Sequence, residues 1–177
     1  QGCQTSEFGY QFWAAQLLDQ LGTEDYSLWN LGIGHARASD CARQGNWLNR
    51  AVAGADLITV AFGTNDIISG SYDGTGHATP EEIEADVRKI TRTCTDADIR
   101  TILWNSPPFD MPPELDGIRT AYNETVEDIA KDNGATYFDV ACLLADPSDA
   151  SKTVYGQHPN DEGGTVIADA LVKLIQE

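Results

Sequence analysis

Apolar residues return at steps of three and four through Tyr10, Trp13, Ala14, Leu17, Leu18 and Leu21. That is the stripe of an amphipathic helix, and Gly22 closes it. Ser27 to Ile33 (SLWNLGI) lacks this spacing and predicts a short buried strand ending in a bend at Gly32 and Gly34. A polar helix is expected from about Ser39 to Val52, carrying Trp47 and Leu48. Asp56 to Phe62 (DLITVAF) is β-branched and apolar without alternation, as in a strand covered on both faces, and Gly63 ends it.

Farther along, Thr79, Pro80 and Glu82 supply an N-cap, a proline at the first helical position and a capping-box carboxylate. Ile83, Val87, Ile90 and Cys94 mark the buried face of the helix that follows. Thr101 to Trp104 reads as a buried strand, and four prolines within Asn105 to Pro113 predict an irregular loop. Ile118, Tyr122, Val126 and Ile129 predict the next helix, stopped by Gly134, and Thr136 to Val140 a further strand. Ile167, Ala170, Leu171 and Leu174 give a closing helix, capped at Asp161. Strands alternating with helices over short connections call for an α/β fold, a parallel sheet with helices on both faces. No repeat or linker divides the 177 residues, so a single domain over 1–177 is expected. A doubly wound chain normally opens on a strand, whereas this one opens on a helix. The first strand is therefore expected upstream of Gln1, in a longer reading frame.

Composition narrows the partners. Asp and Glu number 28 against 11 Lys and Arg, a net charge of −17, and no basic cluster occurs. Nucleic acid and anionic membrane surfaces are thereby excluded as expected partners. The apolar runs, such as Leu57 to Phe62, stop far short of a membrane-spanning helix. Cys3, Cys41, Cys94 and Cys142 form no C-x-x-C pair. Buried thiols and disulfides both remain open, and the even count favours a secreted or extracytoplasmic setting. No His, Cys and Asp spacing suggests a metal site.

Ligands of open α/β sheets gather at the carboxyl ends of the strands. Gly32-Ile33-Gly34 follows the first expected strand, but Arg37 occupies the third glycine's place in a dinucleotide fingerprint, so a cofactor loop is not expected. These glycines suit a turn that points backbone amides into a site. Asn65, at the end of a buried strand, could donate its carboxamide to a developing negative charge, with Gly34 or His35 supplying a backbone N–H. Asp66 is expected to be a structural acceptor. His158, fixed by Pro159, suits a general base, whereas His77 lies in a solvated Gly-rich loop.

Three segments together, NLGIGHARASD (Asn30 to Asp40), FGTND (Phe62 to Asp66) and GQHPNDEGG (Gly156 to Gly164), resemble the second, third and fifth sequence blocks of the SGNH, or GDSL-type, esterases and lipases. The resemblance spans essentially the whole chain and implies a flavodoxin-like three-layer fold. It also implies a serine-dependent ester hydrolase that needs no cofactor, with Asn65 in the oxyanion hole and His158 as base. Its substrates would be small acyl esters or O-acetyl groups on carbohydrates. Three departures stand out. The family's second-block glycine falls on His35, with Gly34 one residue earlier. Tyr155 occupies the place of the aspartate that orients the histidine, so its phenol or a main-chain carbonyl would do so. The Gly-Asp-Ser nucleophile motif is expected upstream of Gln1, because a stretch similar to Gly2-Cys3-Gln4 follows it in relatives; Cys3 and Ser6 lack a preceding strand to hold them as substitutes. The loops Ser69 to His77 and Asn105 to Pro113 would shape the pocket, with Trp104 and Phe109 as an apolar wall or as core. The alternative is a non-catalytic or carbohydrate-binding relative.

Overall fold

The computed structural model describes residues 12–43, 45–69, 78–108, 111–145, 152–155 and 158–177. Cys3, Ser6, Phe109, His77 and most of the Ser69 to His77 loop lie outside the described residues. The chain is a mixed α/β protein, and it forms two units: Gly32–Ser106 with Met111–Asp139, and Gln1–Leu31 with Pro107–Asp110 and Val140–Glu177.

The larger unit holds a three-stranded parallel sheet of β1 (Leu57–Val60), β2 (Arg100–Trp104) and β3 (Thr136–Phe138), in that spatial order. Leu57 pairs with Arg100 and Val60 with Leu103, while Ile102 pairs with Thr136 and Trp104 with Phe138. Ile102 and Leu103, neighbours pointing to opposite faces, are both fully buried, so the central strand is covered on both sides, as its unbroken apolar run predicts. The crossovers are α5 (Pro80–Asp96) and α6 (Pro113–Asp132), which pack on each other and on β2. The Thr79 capping box forms as expected: Thr79 Oγ1 accepts from Glu82 N at 3.3 Å, and Glu82 Oε2 from Thr79 N at 2.9 Å. Ile83, Val87, Ile90 and Cys94 of α5 meet Tyr122, Val126 and Ile129 of α6 in one core.

The other unit pairs α1 (Phe12–Leu21) with α8 (Asp161–Gln176). Gln16 Nε2 donates to Thr165 Oγ1 (3.2 Å) and Gln20 Nε2 to Asp169 Oδ1 (2.8 Å). Ala14, Leu17, Ile167, Ala168 and Leu171 are buried.

Several expectations need correction. Ser27 to Ile33 is not a strand but irregular chain, with Trp29 81% and Ile33 55% exposed. An apolar run becomes a strand only where a neighbour completes its ladder, and no described strand pairs with this one. The Ser39 to Val52 helix is two, α2 (Ala38–Arg43) and α3 (Gly45–Val52). A short helix, α4 (Thr64–Ser69), follows Gly63, and another, α7 (Val140–Leu144), begins at the residue expected to end β3. Pro113 opens α6, so the proline loop is shorter than expected; proline is tolerated at a first helical position, where no N–H partner is needed. The cap of α8 is Asn160, whose Oδ1 accepts from Gly163 N at 2.9 Å, rather than Asp161. Before it lies a two-residue hairpin, β4 (Val154–Tyr155) with β5 (His158–Pro159). Among the described cysteines, Cys41, Cys94 and Cys142 form no disulfide.

Candidate active site

In the larger unit, polar side chains gather where the strands end. Beyond β1, Gly63 turns with φ +111, a conformation side chains rarely adopt. A Cβ there would overlap Tyr122 Cε1 and come within 3.0 Å of Cζ. The ring is fully buried and donates from its hydroxyl to Phe62 O (3.2 Å), so helix α6 grips the turn from beneath.

That turn delivers Asn65 and Asp66 to the segment before α2. Asn65 Nδ2 donates to Ala36 O (2.9 Å). Both carboxylate oxygens of Asp66 accept from Ala38 N, at 3.1 and 3.0 Å. Two adjacent side chains in the first turn of α4, rather than at a strand end, therefore staple residues 36–38 to the segment that follows β1. Burial pushes the Asp66 carboxyl above its ordinary pKa, and nearby Asp86 pushes the same way; amide donors at Ala38, Ser39 and Asp66 itself oppose the rise. At the far end of α2, Lys89 Nζ donates to Ala42 O (2.7 Å), where unsatisfied helix carbonyls favour a cation.

Gly34 and His35 sit just upstream, in a turn closed by Ala36 N donating to Ile33 O (3.1 Å). His35, exposed at the third position of the turn, has φ +64. The backbone thus takes the form that favours glycine at the residue on which the sequence resemblance places a glycine. The histidine carries a conformational cost of about 1 kcal/mol there.

Sequence reasoning missed a second layer. Ser106, just past β2, is buried, and Asn123 of α6 pairs with both its backbone groups: Asn123 Oδ1 accepts from Ser106 N and Nδ2 donates to Ser106 O, each at 2.8 Å. Ser106 Oγ lies 3.0 Å from Thr64 Oγ1. Next to it, Asn105 Nδ2 donates to Asp139 Oδ1 (2.7 Å) and to the Tyr137 hydroxyl (2.9 Å), tying β2 to the end of β3. The available signal was Asn123 itself, a short polar side chain one residue from the buried stripe of α6. Trp104 is core rather than pocket wall, packed edge-to-face on Phe138 with ring centroids 5.1 Å apart.

Tyr155 and His158 lie in the other unit, opposite each other in the β4–β5 register. The hairpin is anchored to α8 through Asn160, whose N–H donates to Thr153 O (3.0 Å) and whose Nδ2 donates to Lys152 O (2.9 Å). A Cβ on Gly163 would collide with Thr153 O, so only glycine lets the helix come this close. Thr153 Oγ1 also donates to Leu144 O, at the end of α7. His158 is therefore half-buried on a short, well-tethered hairpin.

Among the described residues no cluster of His, Cys, Asp and Glu could hold a metal ion. The donors at the strand ends of the larger unit are chiefly neutral amides, which suit a transient negative charge.

Ligands of open α/β sheets bind outside the carboxyl ends of the strands, which is where these polar groups gather. The chain belongs to the GDSL-like lipase/acylhydrolase family, whose model matches residues 1–166, and is by that membership a carboxylic ester hydrolase. No curated protein sequence matches it. Among solved structures, an acetyl xylan esterase is 20% identical at a TM-score of 0.75, covering 96% of this chain and 91% of that one. An aryl esterase of M. smegmatis is 18% identical at 0.71, covering 99% and 89%. A carbohydrate acetylesterase from Sinorhizobium meliloti is 18% identical at 0.66, covering 96% and 86%. At such identities the likeness is one of fold.

Proposed function

We propose that the protein hydrolyses small acyl esters, including O-acetyl groups on carbohydrates, with His158 as general base for a serine nucleophile. Residues 1–177 then act as one SGNH-type domain. The serine oxygen attacks the ester carbonyl as His158 takes its proton. The resulting oxyanion accepts from Asn65 Nδ2 and from the backbone N–H of Gly34 or His35. Collapse breaks the ester C–O bond, and the imidazolium returns the proton to the departing alcohol. Water, deprotonated by His158, then attacks the acyl-serine carbonyl; the C–O bond to serine breaks, the imidazolium returns the proton to the serine oxygen, and the acid leaves.

The observation that supports this reading is the bond from Asn65 Nδ2 to Ala36 O (2.9 Å), the carbonyl of the residue that follows the Gly34–His35 turn. A backbone donor survives a side chain at His35, since it is the N–H that is used. Tyr155, opposite His158 in the hairpin register, is the candidate to orient the imidazole, with a main-chain carbonyl as the other. The fold likeness to an acetyl xylan esterase and a carbohydrate acetylesterase supports the choice of acyl group.

The test uses the full-length protein with p-nitrophenyl acetate and acetylated xylan. His158→Ala should lower kcat/KM by about 10³-fold or more. Unchanged turnover would remove His158 from the mechanism, and no turnover by the parent would favour a non-catalytic, sugar-binding relative. Tyr155→Phe separates the two orienting groups: activity within about twofold of the parent assigns the role to the main chain.

A further inference from the structure

We infer that Thr64 and Ser106, the latter braced by Asn123, are positioning residues for Asn65; the inference rests on the oxyanion role proposed above. Ser106 stands where β2 has ended, so its N–H and C=O have left the ladder, yet the residue is buried to 1% exposure. Pro107, following it, disfavours a helical backbone at Ser106. Asn123 supplies the missing partner by using both ends of its carboxamide, as a neighbouring strand would. The serine is thereby fixed in backbone as well as side chain, and its hydroxyl meets Thr64 Oγ1 at 3.0 Å.

Thr64 is the residue before Asn65. The carboxamide of Asn65 hydrogen-bonds Ala36 O, and the bond from Thr64 to Ser106 fixes the backbone from which that side chain springs. Tyr122, adjacent to Asn123, holds Phe62 O on the other side of Gly63. Two consecutive residues of α6 thus fix the turn before and after its glycine. Buried hydroxyl and amide bonds of this kind are directional and tolerate little displacement. A donor that must meet an oxyanion near 3 Å is sensitive to that displacement.

Thr64→Val and Ser106→Ala each delete one hydroxyl, and Thr64→Ser restores it. In the full-length enzyme, with active sites titrated by an organophosphate, Thr64→Val and Ser106→Ala should each lower kcat roughly tenfold with KM within about twofold. A boronic acid that forms a tetrahedral adduct should lose affinity in proportion to kcat. Thr64→Ser should recover to within about threefold of the parent. A merely structural role would lower the melting temperature and the titratable fraction while leaving kcat per active site unchanged. That outcome, beside a large loss in Asn65→Ala, overturns the positioning role alone. Full activity in Asn65→Ala overturns the oxyanion assignment and this inference with it.

Discussion

Replacing Gly63 by alanine tests the turn on which the site is built. Two costs arise from one methyl group. The first is conformational: φ +111 lies in the region where a Cβ is strained, worth about 1–3 kcal/mol. The second is steric: the new atom would overlap Tyr122 Cε1 and stand 3.0 and 3.1 Å from Cζ and Cδ1. The ring is fully buried within the α5–α6 core and cannot withdraw without repacking it, another 1–3 kcal/mol or about that. Together they give about 4 kcal/mol, a large part of the roughly 5–15 kcal/mol that holds a domain folded. For a chain of this size the melting temperature should fall by about 8–16 °C, read by calorimetry on the full-length protein. Tyr122→Leu separates the two costs. In that background Gly63→Ala should retain only the conformational part, giving a coupling of about 1–3 kcal/mol between the sites. A melting temperature within about 2 °C of the parent, or strictly additive effects, would refute the reasoning.

Asp66 makes stability depend on pH. Folding raises its pKa above the usual 3.8, with burial as the main cause, so its contribution is full below about pH 4 and is lost as pH rises through the folded-state value. Asp66→Asn keeps an acceptor for Ala38 N but cannot ionise. Its melting temperature relative to the parent should therefore climb as pH rises above about 4, and a flat difference would remove burial as the dominant cause. Burial also pushes the Cys41 thiol up to about 12, aided by Cys94, and the Cys94 thiol up to about 11. Alkylation of the native protein followed by peptide mapping should label exposed Cys142 and spare Cys41 and Cys94 until denaturant is added.

The sequence disclosed most where one local signal suffices. The Thr79 capping box, the stripes of α5 and α6 and the unbroken apolar run of β2 each carry their own explanation, and each formed as read. Ser27 to Ile33 failed because hydrophobicity reports a wish for burial and says nothing of a partner strand. Both ends of α2 (Ala38–Arg43) are held by long-range bonds, from Asp66 at one end and Lys89 at the other, that no window of sequence contains. Asn65 was legible as a site candidate because a carboxamide at an expected strand end is conspicuous. The Thr64, Ser106 and Asn123 network was not, because its members are scattered over 60 residues of chain and meet only in the folded unit.

The exposed run from Tyr26 to Ile33 bears on handling. Tyr26, Leu28, Trp29, Leu31 and Ile33 lie within eight positions that contain no charged residue, a window of the kind that seeds intermolecular sheets. Mutual repulsion from a charge of −17 opposes such contact, and that repulsion acts over about 10 Å in 0.1 M salt but only about 3 Å in 1 M. Self-association, read by light scattering, should therefore rise with ionic strength and with acidification toward the isoelectric point of about 4.2.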